Sequence, residues 1–358
     1  MDFKSYLLKN ARDLDQEIDL ILSDFLKEVK KLNPKLIPFA IALMNVCKGG
    51  KRIRGVLVKL GYEIGNQSSA VSSPRSAVEA GHQSSDIIKV GAAYEILHAA
   101  LLIHDDILDQ SELRRGKPTL YRALGGDHYG ISQAIGLGDI GLFLPIKLIA
   151  DANFLGEYKH QALSFLAQTI IYTAWGEVLD VELPHLDGER KEEDVIAIHT
   201  LKTAQYTISG PLIVGAILGG GDQNLLRELG QFGEALGIAF QIQDDILGVF
   251  GDEQELGKSV VSDIEEGKNT LLITEAFKRA NPMQKQILGR FYGHGQVGNK
   301  GLEEVRKVFL ETGALDYSRQ EEVKYVLAAK SVIPKITKDP KIVKLLTEMA
   351  DFLIERHA

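Results

Sequence analysis

Residues 101–119 read LLIHDDILDQSELRRGKPT, which sets Asp105, Asp106, Asp109, Arg114 and Arg115 directly behind an apolar run. On a helix, Asp105 and Asp109 stand four apart on one face, and Asp106 points about 100° away. Like charges at this spacing repel, and a helix C-terminus disfavours anions. A solvated acidic helix end would tolerate both. The sharper reading is a divalent cation site. A hard cation such as Mg²⁺ takes oxygen ligands and commonly keeps one or two carboxylates beside substrate phosphates.

A second apolar run, FQIQDDILGVFGD (240–252), also ends in aspartates. Asp244 shares a helix face with Gln241, and the fourth position after it is Gly248, not aspartate. Lys258 and Lys268 each follow a glycine in the stretch beyond. GGKRIRG (49–55) adds Lys51 and Arg54, and HTLKTAQYT (199–207) adds Lys202 and Thr203. Acidic helix ends with basic loops suit polyanions held partly through metal on Asp and partly by Lys and Arg directly. Diphosphates meet that description. One would be metal-bridged on the aspartates, and a second held by Lys51, Arg54 and Arg115. Departure of diphosphate from an allylic carbon leaves a carbocation, which an apolar channel shields from water. A second substrate's double bond, held nearby, can attack it. No side-chain nucleophile is required, and no Cys–His or Ser–His arrangement is visible.

Helices must carry these residues. Apolar positions recur at three and four in YLLKNARDLDQEIDLILSDFLKEV and LLRELGQFGEALGIAFQIQDDILGVF, and no convincing run of alternating strands appears. The chain has 358 residues, enough for one large domain or two ordinary ones. A net charge of −8 argues against a general nucleic-acid binder, which needs a basic face. The single cysteine, Cys47, rules out an intramolecular disulfide and fits a reducing cytoplasm. No secretory signal and no run of about 18 uncharged apolar residues is present, so no membrane-spanning helix is expected. Residues 66–86, with seven serines and a proline, read as a flexible surface insertion. GGG at 219–221 reads as a helix stop, since no Lys-Ser/Thr follows it.

GGKRIR, EILHAALLIHDDILDQSELRRGKPT, GLGDIGL, WGEVLDVE, LKTAQYT, FQIQDDILGVFGD and GKSVVSDIEEGKNT follow one another in this order. Together they resemble the all-trans polyprenyl diphosphate synthases, the family of farnesyl and geranylgeranyl diphosphate synthases, over nearly the whole chain. The resemblance implies an all-α isoprenoid-synthase helical bundle around a deep central cavity. It further implies a single domain over 1–358 and a homodimer. The activity would be Mg²⁺-dependent, head-to-tail condensation of isopentenyl diphosphate with an allylic diphosphate (dimethylallyl, geranyl or farnesyl).

Roles carry over by position. Asp105, Asp109 and Asp244 match metal ligands, with Asp106, Asp245 and Asp263 in support. Arg114, Lys202 and Lys258 match contacts to the allylic diphosphate, with Lys268 a further phosphate contact. Lys51, Arg54, His98 and Arg115 match the isopentenyl diphosphate site. Thr203 and Gln241 match residues near the developing cation. Two departures stand out: Gly55 replaces a usual proline, and Gly248 the last aspartate of the second motif. In the family, an aromatic five residues before the first aspartate stops growth at fifteen carbons. Here that residue is Ala100, and Leu97, Ile96 and Ala93 beyond it are not aromatic. The expected product therefore has at least twenty carbons, with geranylgeranyl diphosphate first and a longer chain as the alternative. A class I terpene cyclase would not need Lys51, Arg54, His98 and Arg115, and a non-catalytic partner subunit would lose one aspartate motif.

Overall fold

The computed structural model describes residues 1–70, 77–186, 190–252, 260–295 and 297–354, with only the backbone described for 69, 70 and 77–84. Ten helices lead up to the second aspartate motif. They are α1 (Phe3–Leu32), α2 (Ile37–Val46), α3 (Ile53–Ala70), α4 (Ala77–Leu108), α5 (Leu120–Ala123) and α6 (His128–Asp151). After these come α7 (Gly156–Glu182), α8 (Glu192–Ile198), α9 (Gly210–Leu218) and α10 (Gln223–Phe250). A π-helix, His199–Ser209, lies between α8 and α9. Among the described residues, six further helices span Ser262–Glu265, Leu271–Arg279, Pro282–Phe291, Gly298–Glu311, Ala314–Ile336 and Pro340–Ile354. The all-α expectation holds. The only strands among the described residues are β1 (Leu113–Arg114) and β2 (Lys117–Pro118), an antiparallel pair.

Two compact units form: Met1–Ala167 with Gly210–Leu229, and Gln168–Ser209 with Gly230–Ala358. In the first unit α1 starts on an Asp2 cap that accepts from the Ser5 amide at 2.7 Å. Its apolar stripe of Phe3, Leu7, Leu14, Ile18 and Leu22 is buried. Helices α3 and α9 meet backbone to backbone, since a Cβ on Gly61 would lie 2.0 Å from the Leu212 carbonyl oxygen. Helix α9 stops as expected at GGG: the Gly221 amide reaches the Ala216 carbonyl at 2.8 Å and the Gly220 amide that of Ile217 at 2.9 Å. In the second unit, Ile238, Ile242 and Ile246 of α10 pack into a core with Leu272, Val305 and Phe309.

The serine-rich stretch 66–86, expected to be a flexible insertion, is described only in part. Helix α3 runs to Ala70 and α4 begins at Ala77, which leaves only 71–76 outside the described residues. Serine costs a helix interior only about 0.5 kcal/mol relative to alanine, and Ala77, Glu79 and Ala80 favour the helix. Two helical stretches, Ser85–Leu108 and His128–Asp151, are long and apolar enough to cross a membrane by length and composition. Core helices of soluble proteins pass the same test, and the apolar window of the first is 67% buried within the protein.

Candidate active site

In the first unit, α4 carries Asp105 and Asp106 into its last turn. The Asp109 amide closes that turn on the Asp105 carbonyl at 2.9 Å. Carboxylate oxygens of Asp105 and Asp109 lie within 4.8 Å of one another. That spacing and oxygen-only chemistry fit two ligands of one hard divalent cation. Asp106 turns away and is 4% exposed, and burial pushes its carboxyl up to about 6. Arg114 opposes that rise, with Nε 2.6 Å from Asp106 and a terminal nitrogen 2.9 Å from Asp105.

The β1–β2 hairpin aims the two arginines. Arg115 and Gly116 form its two-residue turn with φ of 55° and 71°, the positive pair of a type I′ turn. Arg114 falls on the aspartates and Arg115 on the glycines of GGKRIR. Arg115 Nη1 donates to the Lys48 carbonyl at 3.3 Å, and a Cβ on Gly50 would sit 3.0 Å from Arg115 Nη2. The glycines thus clear a seat for the guanidinium.

Arg52 turns inward with φ 54° and donates to Asp15 at 2.7 Å and to the Cys47 carbonyl at 3.0 Å. It is 5% exposed and structural, whereas Lys51 is exposed and Arg54 half-buried. The Gly55 amide donates to buried Glu95 at 2.8 Å. The family's proline would delete that donor, so the departure at 55 serves packing. Burial of its ring, then the charges of Arg54, Arg115, Arg114 and Arg52, hold His98 well below the usual histidine range. Its imidazole is therefore neutral. His104 pairs with Asp139 at 3.3 Å.

In the second unit, the π-helix positions Lys202 and Thr203. Gly176 of α7 and Gly237 of α10 let it approach closely: Cβ atoms there would lie 2.4 Å from the Lys202 nitrogen and 2.5 Å from the Ala204 Cα. Lys202 Nζ lies between Glu177 at 2.9 Å and Asp180 at 2.8 Å. A hydrogen-bonded chain runs across to α10. Thr203 Oγ1 donates to Gln241 Oε1 at 2.7 Å, Gln241 Nε2 donates to Asp245 Oδ1 at 2.8 Å, and Asp245 Oδ2 meets His199 Nε2 at 3.0 Å. Both oxygens of Asp245 are thus engaged inside the protein. Lys268 Nζ lies 3.1 Å from Glu266 and 3.9 Å from Asp263.

Among the residues expected from sequence, the structure groups Asp105, Asp106, Asp109, Arg114, Arg115, Arg54 and His98 in the first unit. It groups Lys202, Thr203, Gln241, Asp245, Asp263 and Lys268 in the second. Lys258 lies outside the described residues. Sequence reasoning missed Glu95 and His199. Each depends on a partner about 40 residues away in the chain, so no local pattern flags it.

The Polyprenyl synthetase family profile matches residues 39–309. The chain belongs to the polyprenyl synthetase family. Among curated relatives, the geranylgeranyl diphosphate synthase of Sulfolobus acidocaldarius is 31% identical over 90% of this chain and 91% of its own. The short chain isoprenyl diphosphate synthase of Methanothermobacter thermautotrophicus is 33% identical over 87% and 88%. Among solved structures, the geranylgeranyl pyrophosphate synthase from Corynebacterium glutamicum, complexed with isoprenyl diphosphate and magnesium, superposes with a TM-score of 0.89. It is 26% identical, and the alignment covers 100% of both chains. The family's helical fold, read from the sequence, is thereby shared over the full length.

Proposed function

We propose that this chain condenses isopentenyl diphosphate with an allylic diphosphate, head to tail, and releases geranylgeranyl diphosphate. The reading is carried by one observation: in a member of this family, each unit pairs an aspartate-ended helix with basic side chains. In the first unit, Asp105 and Asp109 would hold Mg²⁺, and in the second Asp244 would. The bound ions would supply Lewis-acid neutralisation of the leaving diphosphate. Arg114, Lys202, Lys258 and Lys268 would bind the allylic diphosphate. Lys51, Arg54, Arg115 and neutral His98 would bind the isopentenyl diphosphate. Thr203, oriented by Gln241, would turn hydroxyl lone pairs toward positive charge as it develops. Buried Ala100, with Leu97, Ile96 and Ala93 before it in the chain, supports a product of twenty carbons.

The family match runs through stretches of both units, which supports their acting as one synthase domain. A homodimer is supported by exposed apolar faces: Ile135, Ile140 and Phe143 on α6, and Ile171, Trp175 and Val178 on α7.

The test is incubation of purified protein with labelled isopentenyl diphosphate and each allylic starter, with and without Mg²⁺, followed by product sizing. A twenty-carbon product that requires the metal is expected. No product from any starter would overturn the enzyme reading, and a fifteen-carbon or much longer product would overturn the assigned chain length.

A further inference from the structure

Two side chains from distant parts of the second unit, Arg190 and Tyr292, fasten the backbone that carries Lys268. The buried Tyr292 hydroxyl donates to the Lys268 carbonyl at 2.5 Å. Arg190 Nη1 donates to the side-chain oxygen of Asn269, the next residue. The two are themselves joined. The Arg190 guanidinium lies over the Tyr292 ring, 5.6 Å from its centroid, and over that of Phe277 at 5.8 Å. Both distances fall within the reach of a cation–π contact. No carboxylate is among these partners of Arg190, so the two ring faces stand where a counter-ion would.

The backbone at Lys268 needs such fastening. Before it, Gly267 turns with φ 73°, and the Lys268 amide closes on the Asp263 carbonyl at 3.1 Å. After it, Thr270 caps the helix Leu271–Arg279. Residues 268 and 269 bridge turn and cap, and Arg190 and Tyr292 hold that bridge. A lysine ammonium rides on a flexible four-carbon stem, so its backbone decides what it can reach. In this structure the Lys268 ammonium rests 3.1 Å from Glu266 and 3.9 Å from Asp263. Arg190 is itself anchored nearby, because Glu192, at the start of α8, accepts from the Tyr317 hydroxyl at 2.6 Å.

We propose that Arg190 is a positioning residue for diphosphate binding: through the Tyr292 ring and Asn269 it fixes the backbone from which Lys268 meets phosphate. The inference rests on the prenyltransferase reading of the site. It predicts that Arg190 acts only by way of Lys268. An arginine that merely stabilised the fold, or touched phosphate itself, would not behave so.

A double-mutant cycle on the full chain tests this, with calorimetric binding of inorganic diphosphate in excess Mg²⁺ and ligand-free melting as the fold control. Lys268→Ala should weaken binding about 10- to 150-fold, as loss of a charge-assisted hydrogen bond does. Arg190→Gln should weaken it about 2- to 30-fold, the span of cation–π contacts. In the Lys268→Ala background, Arg190→Gln should cost less than about 2-fold, since the two act as one unit. In turnover, Arg190→Gln should raise the KM for the allylic diphosphate and not that for isopentenyl diphosphate. Wild-type binding by Arg190→Gln, while Lys268→Ala loses affinity, would overturn the proposal and leave the site reading standing. Additive losses in the double variant, or equal rises in both KM values, would also overturn it. Wild-type binding by Lys268→Ala would overturn the assignment of Lys268 and the proposal together. If Arg190→Gln fails to fold, Tyr292→Phe, which removes only the hydroxyl on the Lys268 carbonyl, enters the same cycle, and additivity there overturns the proposal.

Discussion

DDIL closes α4 at Leu108 and recurs at 244–247 of α10, which runs on to Phe250, yet the two stretches live in different electrostatic surroundings. At the end of α4 the acidic charge is answered by a full cation, with Arg114 2.6 Å from Asp106 and 2.9 Å from Asp105. On α10 the Asp245 carboxylate meets an amide and an imidazole instead, with Gln241 and His199 on its two oxygens. The first arrangement holds its own counter-ion, so an Arg114 that binds diphosphate, as proposed, would exchange carboxylate for phosphate. The second is fixed by a π-helix, and its hydrogen bonds already point Gln241 at Thr203. A repeated motif thus need not mean a repeated site: one end is set for exchange and the other for orientation.

The widest break of this comparison is loss of a metal carboxylate on either side. Asp105→Ala and Asp244→Ala should each lower kcat at least about 100-fold, since metal neutralisation of a leaving diphosphate is worth several kcal/mol. Melting temperatures should stay near wild type, because each change also removes a charge from an acidic helix end. Near-wild-type turnover of either variant at saturating Mg²⁺ would defeat the metal assignment for that helix. The next effect is selective. Arg54→Ala should raise the KM for isopentenyl diphosphate about 10- to 150-fold, the cost of a charge-assisted hydrogen bond of about 1.5–3 kcal/mol. The KM for the allylic substrate should move far less. Equal shifts would mean the two phosphate sites are divided wrongly.

Much of this was legible in the sequence because it is local. Helical periodicity, Asp105 four before Asp109, and the GGG stop of α9 all depend on neighbours within a turn or two. What escaped depends on contacts between distant residues. Nothing near Arg52 says that it will turn inward to Asp15 while Lys51 does not. The π-helix is invisible as well, because its apolar spacing still resembles an α-helix, and it is Gly176 and Gly237 that let other helices press against it. Nor does the sequence show that Gly248 leaves room for Asp263, whose Oδ2 lies 1.9 Å from where a Cβ at 248 would be.

A smaller effect separates the basic side of the first unit from the second motif. His98 is held neutral by burial and by four arginines, so its folded-state affinity for a proton lies below that of the unfolded chain. Below about pH 6.5 the unfolded chain takes up a proton that the folded one refuses. His98 therefore contributes stability above that pH, and the contribution is lost as pH falls. Metal-free wild type should lose more stability between pH 7.5 and 5.5 than His98→Gln does, as read from urea midpoints. Parallel pH profiles would show that burial and the arginines do not set the state of this imidazole.

The last prediction leaves turnover nearly untouched and changes only where the chain stops. Ala100 is fully buried, and a Cβ on Gly141 of α6 would lie 2.8 Å from its own Cβ. A phenylalanine at 100 has no room on that side and must swing along α4. Ala100→Phe should therefore shift the product to fifteen carbons while losing about 1–3 kcal/mol of stability to overpacking. The sequence reading also passed over an aromatic. Tyr94 stands eleven residues before Asp105, three turns and roughly 16 Å along the helix, within about 20° of the same face. It is 1% exposed, and its hydroxyl has no hydrogen-bond partner among the described residues. At about one isoprene unit per turn of roughly 5.4 Å, three units fit between this ring and the unit beside the diphosphate. That makes twenty carbons. Tyr94→Ala should then lengthen the product as Ala100→Phe shortens it, with the first condensation preserved in both. If Tyr94→Ala still stops at twenty carbons, the floor lies on another helix. If Ala100→Phe leaves the product distribution unchanged, α4 does not line the path of the growing chain at that level.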